Sequence, residues 1–195
     1  MRFGDEDDSA PAIGRRGFLS FGLAALAAVT VPPLLSPATA QAASLSGASV
    51  RRLALHNINT GDRFDDVYWA NGAYRPDALR KLDVLLRDHR AQQICRTDPR
   101  LFDVLWEVHQ RLESTEPYQV ICGYRSRKTN ALARRRSRGV AKESYHTRGM
   151  AVDVVLPERN LKGIAQQAMA LEAGGVGYYP RSGFVHMDVG PVRHW

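Results

Sequence analysis

Hydrophobic and polar residues alternate along several short stretches of the chain and recur with a helical period along others. Strict alternation predicts strands whose side chains point to opposite faces, whereas an apolar residue every three or four positions predicts a helix. We therefore predict strands over residues 53–59, 63–69, 118–122, 176–179 and 184–189 and one that carries Asp153, with helices over 76–90, from Asp98 onward, after Ser126 and after Asn160.

The ends of these elements carry turn and cap residues. Gly61 allows the tight turn between the first two strands, and Gly174 and Gly175 are expected to stop the last helix. Ser126 and Asn160 have side chains that cap the first turn of a helix. Strands and helices in this order predict an α+β fold, a small antiparallel sheet with helices packed on one side.

The N-terminal residues have the features of an export signal. Arg15 and Arg16 precede an apolar run over residues 18–31 that is too short to span a membrane, and small residues follow at 38–40. A retained N-terminal anchor is the alternative; otherwise the domain is periplasmic or otherwise exported, with no stable membrane span after cleavage. The predicted divisions are a twin-arginine (Tat) signal peptide over 1–43, a flexible lead-in over 44–52 and one domain over 53–195.

The chain is basic, and export changes what that charge indicates. It has 27 Lys and Arg and 20 Asp and Glu. Removing residues 1–43 takes away three arginines and four acids, which leaves 24 basic and 16 acidic residues and a charge of +8. Outside the cytoplasm the expected polyanion is the cell wall or an anionic membrane surface and not nucleic acid. A solvated helix face without a partner is the alternative for the densest basic run, residues 125–142.

Cys95 and Cys122 have two interpretations. A pair of cysteines in an exported chain favours a disulfide, yet Tat substrates fold first in a reducing compartment. Two unpaired thiols are therefore the alternative.

Three side chains form the candidate chemical centre. His146 and Asp153 flank Gly149, and His186 lies on a later alternating stretch. A carboxylate on a half-buried strand needs a partner, and a metal ion is one. Zinc in hydrolases takes three His, Asp or Glu ligands and leaves a fourth position for water, whose pKa it lowers to about 7. We predict that these residues bind one Zn²⁺.

Residues 144–153 resemble the Ser-x-His-x₃-Gly-x-Ala-x-Asp signature of the D-alanyl-D-alanine metallopeptidases, the superfamily that includes the hedgehog domain. Here Gly149 follows His146 by three residues and not four. Residues 123–126 and 184–190 are similar to other segments of that superfamily, and the opening hairpin, residues 87–90 and residues 190–195 resemble its murein endopeptidase K branch. The resemblance spans residues 50–195 and implies the same zinc ligands. It also implies that Arg125 holds the substrate carbonyl or a terminal carboxylate, and Tyr124 and Ser144 are further substrate-binding candidates.

The chain departs from this superfamily at the general base. Better-known members have glutamate or histidine two or three residues before the last ligand, where this chain has Gly183 and Phe184. Asp188, two residues after His186, is either the base or a carboxylate that orients His186. His194 and Tyr145 are the other candidates for the base.

Two classes of function follow. The first is a zinc-dependent murein endopeptidase that hydrolyses peptide cross-links, with peptidoglycan peptide stems as substrate; a D,D-carboxypeptidase is a variant of this reading. The second is a catalytically inactive zinc-containing module that binds wall peptides, as the missing base suggests. Hydrolysis of defined muropeptides distinguishes the two classes.

Overall fold

One eight-stranded sheet organises the part of the chain that the computed structural model describes, residues 48–137 and 139–195. The predicted signal peptide, residues 1–43, lies outside the described residues. In chain order the elements are β1 (Val50–Asn57), β2 (Arg63–Ala70), β3 (Ala73–Tyr74), α1 (Pro76–Leu85), α2 (Arg100–Arg111), β4 (Tyr118–Cys122), α3 (Arg127–Arg136), a 3₁₀ helix (Tyr145–Arg148), β5 (Ala151–Val155), α4 (Leu161–Met169), β6 (Gly175–Tyr179), β7 (Phe184–Asp188) and β8 (Arg193–His194).

The α+β class is confirmed, but the sheet is larger than expected and mixed. The strand order is β3-β2-β1-β4-β5-β7-β6-β8. β1 pairs in parallel with β4, and β6 pairs in parallel with β8, while the other pairs are antiparallel. A parallel pair needs a long crossover, and α1 and α2 lie in the connection from β1 to β4. β3 and β8 have two residues each, too few to show an alternating pattern.

Several predicted element ends hold and others shift. Ser126 accepts a hydrogen bond from the backbone N–H of Thr129 at 3.1 Å, as predicted for a cap. β1 begins at Val50 and not Leu53, because Val50 and Arg51 already pair with Ala70 and Trp69 of β2. Arg51 is also buried in an ion pair with Asp103 at 2.7 Å. The predicted lead-in is therefore partly strand.

Helix α1 ends at Leu85, five residues before the predicted end at 90. The carboxylate of Asp88 accepts the backbone N–H groups of Arg90 and Ala91 at 3.0 and 3.1 Å. These groups are therefore unable to continue the helical ladder. α4 likewise stops at Met169, ahead of the predicted glycine stop, and Gly175 begins β6.

The apolar core lies on one face of the sheet, against α1, α2 and α4. α3 buries only Thr129 and Asn130. Among the described residues, no helix is both long enough and apolar enough to cross a membrane. The strands contribute alternate residues to this layer, namely Leu53, Leu55, Val120, Val152, Val154, Val185 and Met187.

Candidate metal centre

The segment that carries His146 is a 3₁₀ helix joined directly to β5. Gly149 makes the junction in the left-handed backbone region, with a φ of 65°. A Cβ atom there would lie 2.5 Å from the carbonyl oxygen of Arg96, so both conformation and space require glycine. This turn sets the imidazole of His146 beside Asp153, which is on β5.

Strand pairing brings the third predicted ligand to the same place. β5 and β7 are antiparallel neighbours, and Asp153 lies directly opposite His186. Because side chains alternate along a strand, Asp153, His186 and Asp188 share the face opposite the apolar layer.

The three predicted ligands converge on one point. Oδ1 of Asp153 lies 2.9 Å from Nδ1 of His186 and 3.2 Å from Nε2 of His146, and these two nitrogens are 3.1 Å apart. All three residues are buried, with at most 8% of their surface exposed. Residues separated by up to 40 positions therefore form one cluster.

In each imidazole, the nitrogen that points away from Asp153 forms a hydrogen bond with another group. Nδ1 of His146 donates to the carbonyl oxygen of Gly123 at 2.8 Å, and Nε2 of His186 donates to Oδ2 of Asp188 at 2.9 Å. Neutral imidazoles then direct their lone pairs at Asp153. Three electron-pair donors so close repel one another unless a positive charge lies between them. Two nitrogens and a carboxylate oxygen are a set that divalent metals bind, so these residues fit a metal ion.

The electrostatics of the cluster agree with this interpretation. Burial by itself lowers the pKa of His146, but attraction to Asp153 and to Cys122 outweighs it and raises that pKa well above its ordinary value. Burial raises the pKa of Asp153, whereas His146 and His186 bring it below its usual range. A positive charge is therefore stabilised at this point.

The thiol of Cys122 is an unexpected neighbour of the ligands. Cys122 pairs with Asp153 across β4 and β5, and ligand atoms of Cys122, His146 and Asp153 all lie within 4.8 Å of one another. A register shift between Val120 and Cys122 creates this pairing, which a regular alternating pattern does not reveal. Cys95 and Cys122 are both free, half-buried thiols, the second of the two alternatives open from sequence.

Asp188 is enclosed by donors. Its Oδ2 accepts from Nε2 of His186 at 2.9 Å and from Arg193 at 2.6 Å, and its Oδ1 accepts from Arg193 and from the backbone N–H groups of Gly175 and Gly190. Only 1% of the residue is exposed. Burial raises the pKa of Asp188, but the bonds from His186 and Arg193 outweigh this and lower it to about 2. This carboxylate therefore contacts the outer nitrogen of His186 and not the ligand cluster.

The cluster forms the floor of an open cavity of about 310 Å³. Arg125 and Ser144, both predicted to bind substrate, line it, and Nη2 of Arg125 donates to Oγ of Ser144 at 3.3 Å. Nε of Arg125 is buried and has no hydrogen-bond partner among the described residues. Arg125 and the three predicted ligands therefore line the same cavity.

Tyr124 does not line this cavity. Its side chain borders a separate cleft of about 10 Å³, which also includes His89 and Arg90. Arg125 lines both the cavity and this cleft, so the role of Tyr124 stays a prediction. Of the other candidates for the base, Tyr145 lines the cavity and His194 does not.

Aromatic residues from the end of the chain form one wall of the cavity. The ring of Trp195 lies 5.4 Å from that of His186, and its Nε1 donates to the hydroxyl of Tyr179 at 2.6 Å. Tyr179 in turn stacks on Phe184. The sequence pattern did not indicate this wall, because the short β8 sets it in place.

Comparison with known proteins identifies the family of this chain. The family described as peptidoglycan L,D-endopeptidase MepK matches residues 45–195. The chain is 44% identical over 181 residues to peptidoglycan L,D-endopeptidase MepK of Escherichia coli (strain K12), covering 93% of this chain and 96% of that protein.

A second relative is equally well covered. The chain is 41% identical over 182 residues to the probable peptidoglycan L,D-endopeptidase MepK of Haemophilus influenzae, covering 93% of this chain and 95% of that protein. No solved structure matches the chain significantly.

Proposed function

We propose, on the premise that this chain belongs to the peptidoglycan L,D-endopeptidase MepK family, that it hydrolyses an L,D peptide bond in the cross-links of peptidoglycan. The observation that carries the proposal is the convergence of His146, Asp153 and His186 on the floor of a cavity that also holds Arg125. The chain is a metallopeptidase by family, so the inactive binding module is not proposed further.

We assign zinc as the metal. Two imidazole nitrogens and one carboxylate oxygen are the ligand set of catalytic zinc sites, which keep one position open. When bound there, zinc supplies a water that is acidic enough to act as a nucleophile and polarises the scissile carbonyl. His146 Nε2, His186 Nδ1 and Asp153 Oδ1 are the atoms that would hold it.

Arg125 is proposed to hold the scissile carbonyl oxygen. Arg125 lines the cavity, and its Nη2 donates to Oγ of Ser144, which fixes the guanidinium. A donor fixed before the reaction stabilises the negative charge that develops on that oxygen. The aromatic wall of Tyr179, Phe184 and Trp195 would exclude water on the other side of the substrate.

Asp188 is proposed to orient His186 and not to act as the base. Its two oxygens are occupied by five donors, and it bonds the nitrogen of His186 that points away from Asp153. Such carboxylates fix the tautomer of a ligating histidine, and their loss typically weakens metal affinity by about 10–100-fold.

The Asp188→Asn variant tests this assignment. An orienting role predicts weaker zinc binding, with activity partly restored at high zinc concentration. A variant that binds zinc as tightly as the wild type yet is inactive would instead make Asp188 the base. Tyr145→Phe, measured in parallel, tests the remaining candidate that lines the cavity.

Defined substrates test the bond that is cut. In a cross-link between two diaminopimelate residues the carbonyl belongs to an L centre and the amine to a D centre. In D-alanyl-diaminopimelate and D-alanyl-D-alanine bonds both centres are D. We expect cleavage of the first substrate only, abolished by EDTA and absent in His146→Ala, with products identified by mass. Cleavage of either D,D bond instead would show a D,D-endopeptidase or a D,D-carboxypeptidase.

We also propose that the protein reaches the wall by the Tat route. An enzyme that acts on the wall must be exported, and Arg15 and Arg16 have the spacing of a Tat signal ahead of an apolar run. Replacing both arginines by lysine is expected to leave a precursor in the cytoplasm. A variant that is still exported and processed would indicate another route.

A further inference from the structure

A second cavity of about 310 Å³ shares a lining residue with the cavity at the metal centre. It lies between α3 and the segment that carries the 3₁₀ helix, and Glu143 lines both cavities. Thr147 and Arg148, which directly follow the ligand His146, form part of its wall. The two cavities are therefore neighbours, as a substrate that extends from one to the other requires.

The cavity is strongly basic. One face of α3 contributes Arg127, Ala131 and Arg134, spaced four and seven residues apart, so they lie on one side of the helix. Lys142 and Arg148 complete the cationic lining, and the one carboxylate is Glu143. Four cations against one acid give an excess of three positive charges.

Most of this charge is uncompensated. Arg148 lies 3.4 Å from Glu143 in an exposed pair. Among the described residues, Arg127, Arg134 and Lys142 form no ion pair. Like charges around one cavity repel each other, and a bound anion relieves that repulsion.

The wall of the cavity is fixed by a buried side chain. Asn130 is 4% exposed and donates from Nδ2 to the carbonyl oxygens of Ala141 and Lys142 at 3.1 and 3.3 Å. These bonds attach the loop of Lys142 to α3. The basic side chains therefore sit on two segments that are tied together.

We propose that this basic cavity binds a free carboxylate of the peptide stem whose cross-link is being cut at the metal centre. The inference rests on the proposed function, because the stems of peptidoglycan carry carboxylates on glutamate and on diaminopimelate that are not part of the cross-link. Both sources offer the same chemistry, a carboxylate several atoms from the scissile amide. Paired N–H donors of arginine are suited to such a group.

A pair of double variants tests the cavity. Arg127→Gln/Arg134→Gln removes two charges that line it, and Lys128→Gln/Arg135→Gln removes two charges seven residues apart on another side of the same helix. All four side chains are exposed, so both variants should fold. We expect the first variant to raise KM for the diaminopimelate–diaminopimelate dimer by about tenfold with kcat unchanged, and the second to have little effect, since surface charges act locally.

Amidated substrates identify the carboxylate. Dimers amidated at glutamate or at diaminopimelate are compared with the free acid on the wild type and on Arg127→Gln/Arg134→Gln. The amide at the bound position should raise KM for the wild type by the same factor and should add nothing in the variant. The proposal would be overturned if the two double variants raised KM equally. It would also be overturned if amidation raised KM in Arg127→Gln/Arg134→Gln as much as in the wild type, for both dimers.

A binding measurement keeps this test separate from catalysis. The tetrapeptide stem is titrated into His146→Ala and into the same protein with Arg127→Gln/Arg134→Gln, by calorimetry. We expect Kd to rise about tenfold in the second protein, at low salt, and the difference to shrink at high salt. If the second protein binds the stem as tightly as the first, the stem assignment is refuted. The same holds if it binds the stem normally but no longer binds a polyphosphate wall polymer. Failure of the wild type to cleave any cross-link counts against the proposed function alone.

Discussion

The two faces of β5 and β7 differ in chemistry: one is apolar and the other carries ionisable groups. On β5 and β7, Val152, Val154, Val185 and Met187 are fully buried against helices, while Asp153, His186 and Asp188 alternate with them on the other face. The first face is stabilised by apolar burial and needs no partner beyond the chain. The second buries ionisable groups, which is costly unless each is paired.

The difference teaches that stability and chemistry can be altered separately in this protein. Of two residues that are adjacent on β5 or β7, one belongs to the apolar core and the other lies on the face of the metal centre. A substitution on the helix-covered face should weaken the fold and leave the metal centre intact while the protein is folded. A substitution on the face that carries Asp153 and His186 should weaken metal binding and leave the fold intact.

Loss of a ligand on this face should have the largest effect. His146→Ala removes one of three ligand atoms, and with it the metal and the several kcal/mol of barrier lowering that it supplies. We expect activity to fall by at least about a thousandfold, given about 1.4 kcal/mol per factor of ten. Metal analysis and the far-UV spectrum should show a metal-poor but folded protein. His194→Ala, outside the cavity, is the control and should remain active, whereas a metal-free, active His146→Ala protein would refute the assignment.

The neighbouring position on the helix-covered face should show the opposite behaviour. Met187→Ala, between His186 and Asp188, creates a cavity in the core and should cost about 2–5 kcal/mol of unfolding free energy. Denaturant unfolding measures the loss. Below the melting temperature the zinc content should remain that of the wild type; a folded but zinc-free variant would show that the two faces are not independent.

Arg125 should affect the rate without affecting the metal. Arg125→Ala should lower kcat by about 10²–10³-fold, corresponding to roughly 2.7–4 kcal/mol for a donor to a developing oxyanion. Arg125→Lys keeps the charge but loses the planar fork, so we expect an intermediate rate. Zinc content should be unchanged in both variants. A rise in KM alone would show that Arg125 binds the substrate without stabilising the transition state.

Asp88 is a second buried carboxylate, but unlike Asp153 it is stabilised by hydrogen bonds and needs no cation. Burial raises the pKa of Asp88, but hydrogen bonds from Thr129 and Ser126 outweigh burial and lower it to about 2. Asp88→Asn should cost about 1–3 kcal/mol of unfolding free energy near neutral pH.

The sign of the pH dependence follows from that lowered pKa. The ionised carboxylate stabilises the folded state above its unfolded pKa of about 3.9, and this contribution is lost as pH falls through about 4 towards 2. Stability curves of the wild type and Asp88→Asn should therefore converge in that window. Parallel curves would show that Asp88 does not titrate there.

Two of the three proposed ligands, Asp153 and His186, could be placed from the sequence because strand periodicity is local. Alternation over residues 150–155 and 184–189 puts Asp153 and His186 each on the face opposite its apolar neighbours, before any tertiary contact is known. The α+β class and the caps at Ser126 and Asn160 followed from equally local signals, and the structure has them.

The incorrect predictions concern contacts between distant segments. The end of α1 depends on Asp88, whose carboxylate also accepts the backbone N–H of Ser126, 38 residues away. The short strand β8 has no periodic signal, so the contribution of Arg193 and Trp195 was not foreseen.

The sequence by itself determined which side chains can share a face and therefore which residues are proposed to hold a metal. Only the tertiary structure decided which imidazole nitrogen each histidine turns inward, since this depends on the carbonyl of Gly123 and on Asp188, itself held by Arg193. Side-chain periodicity is a property of one strand, whereas a tautomer is set by hydrogen bonds that arrive from other segments.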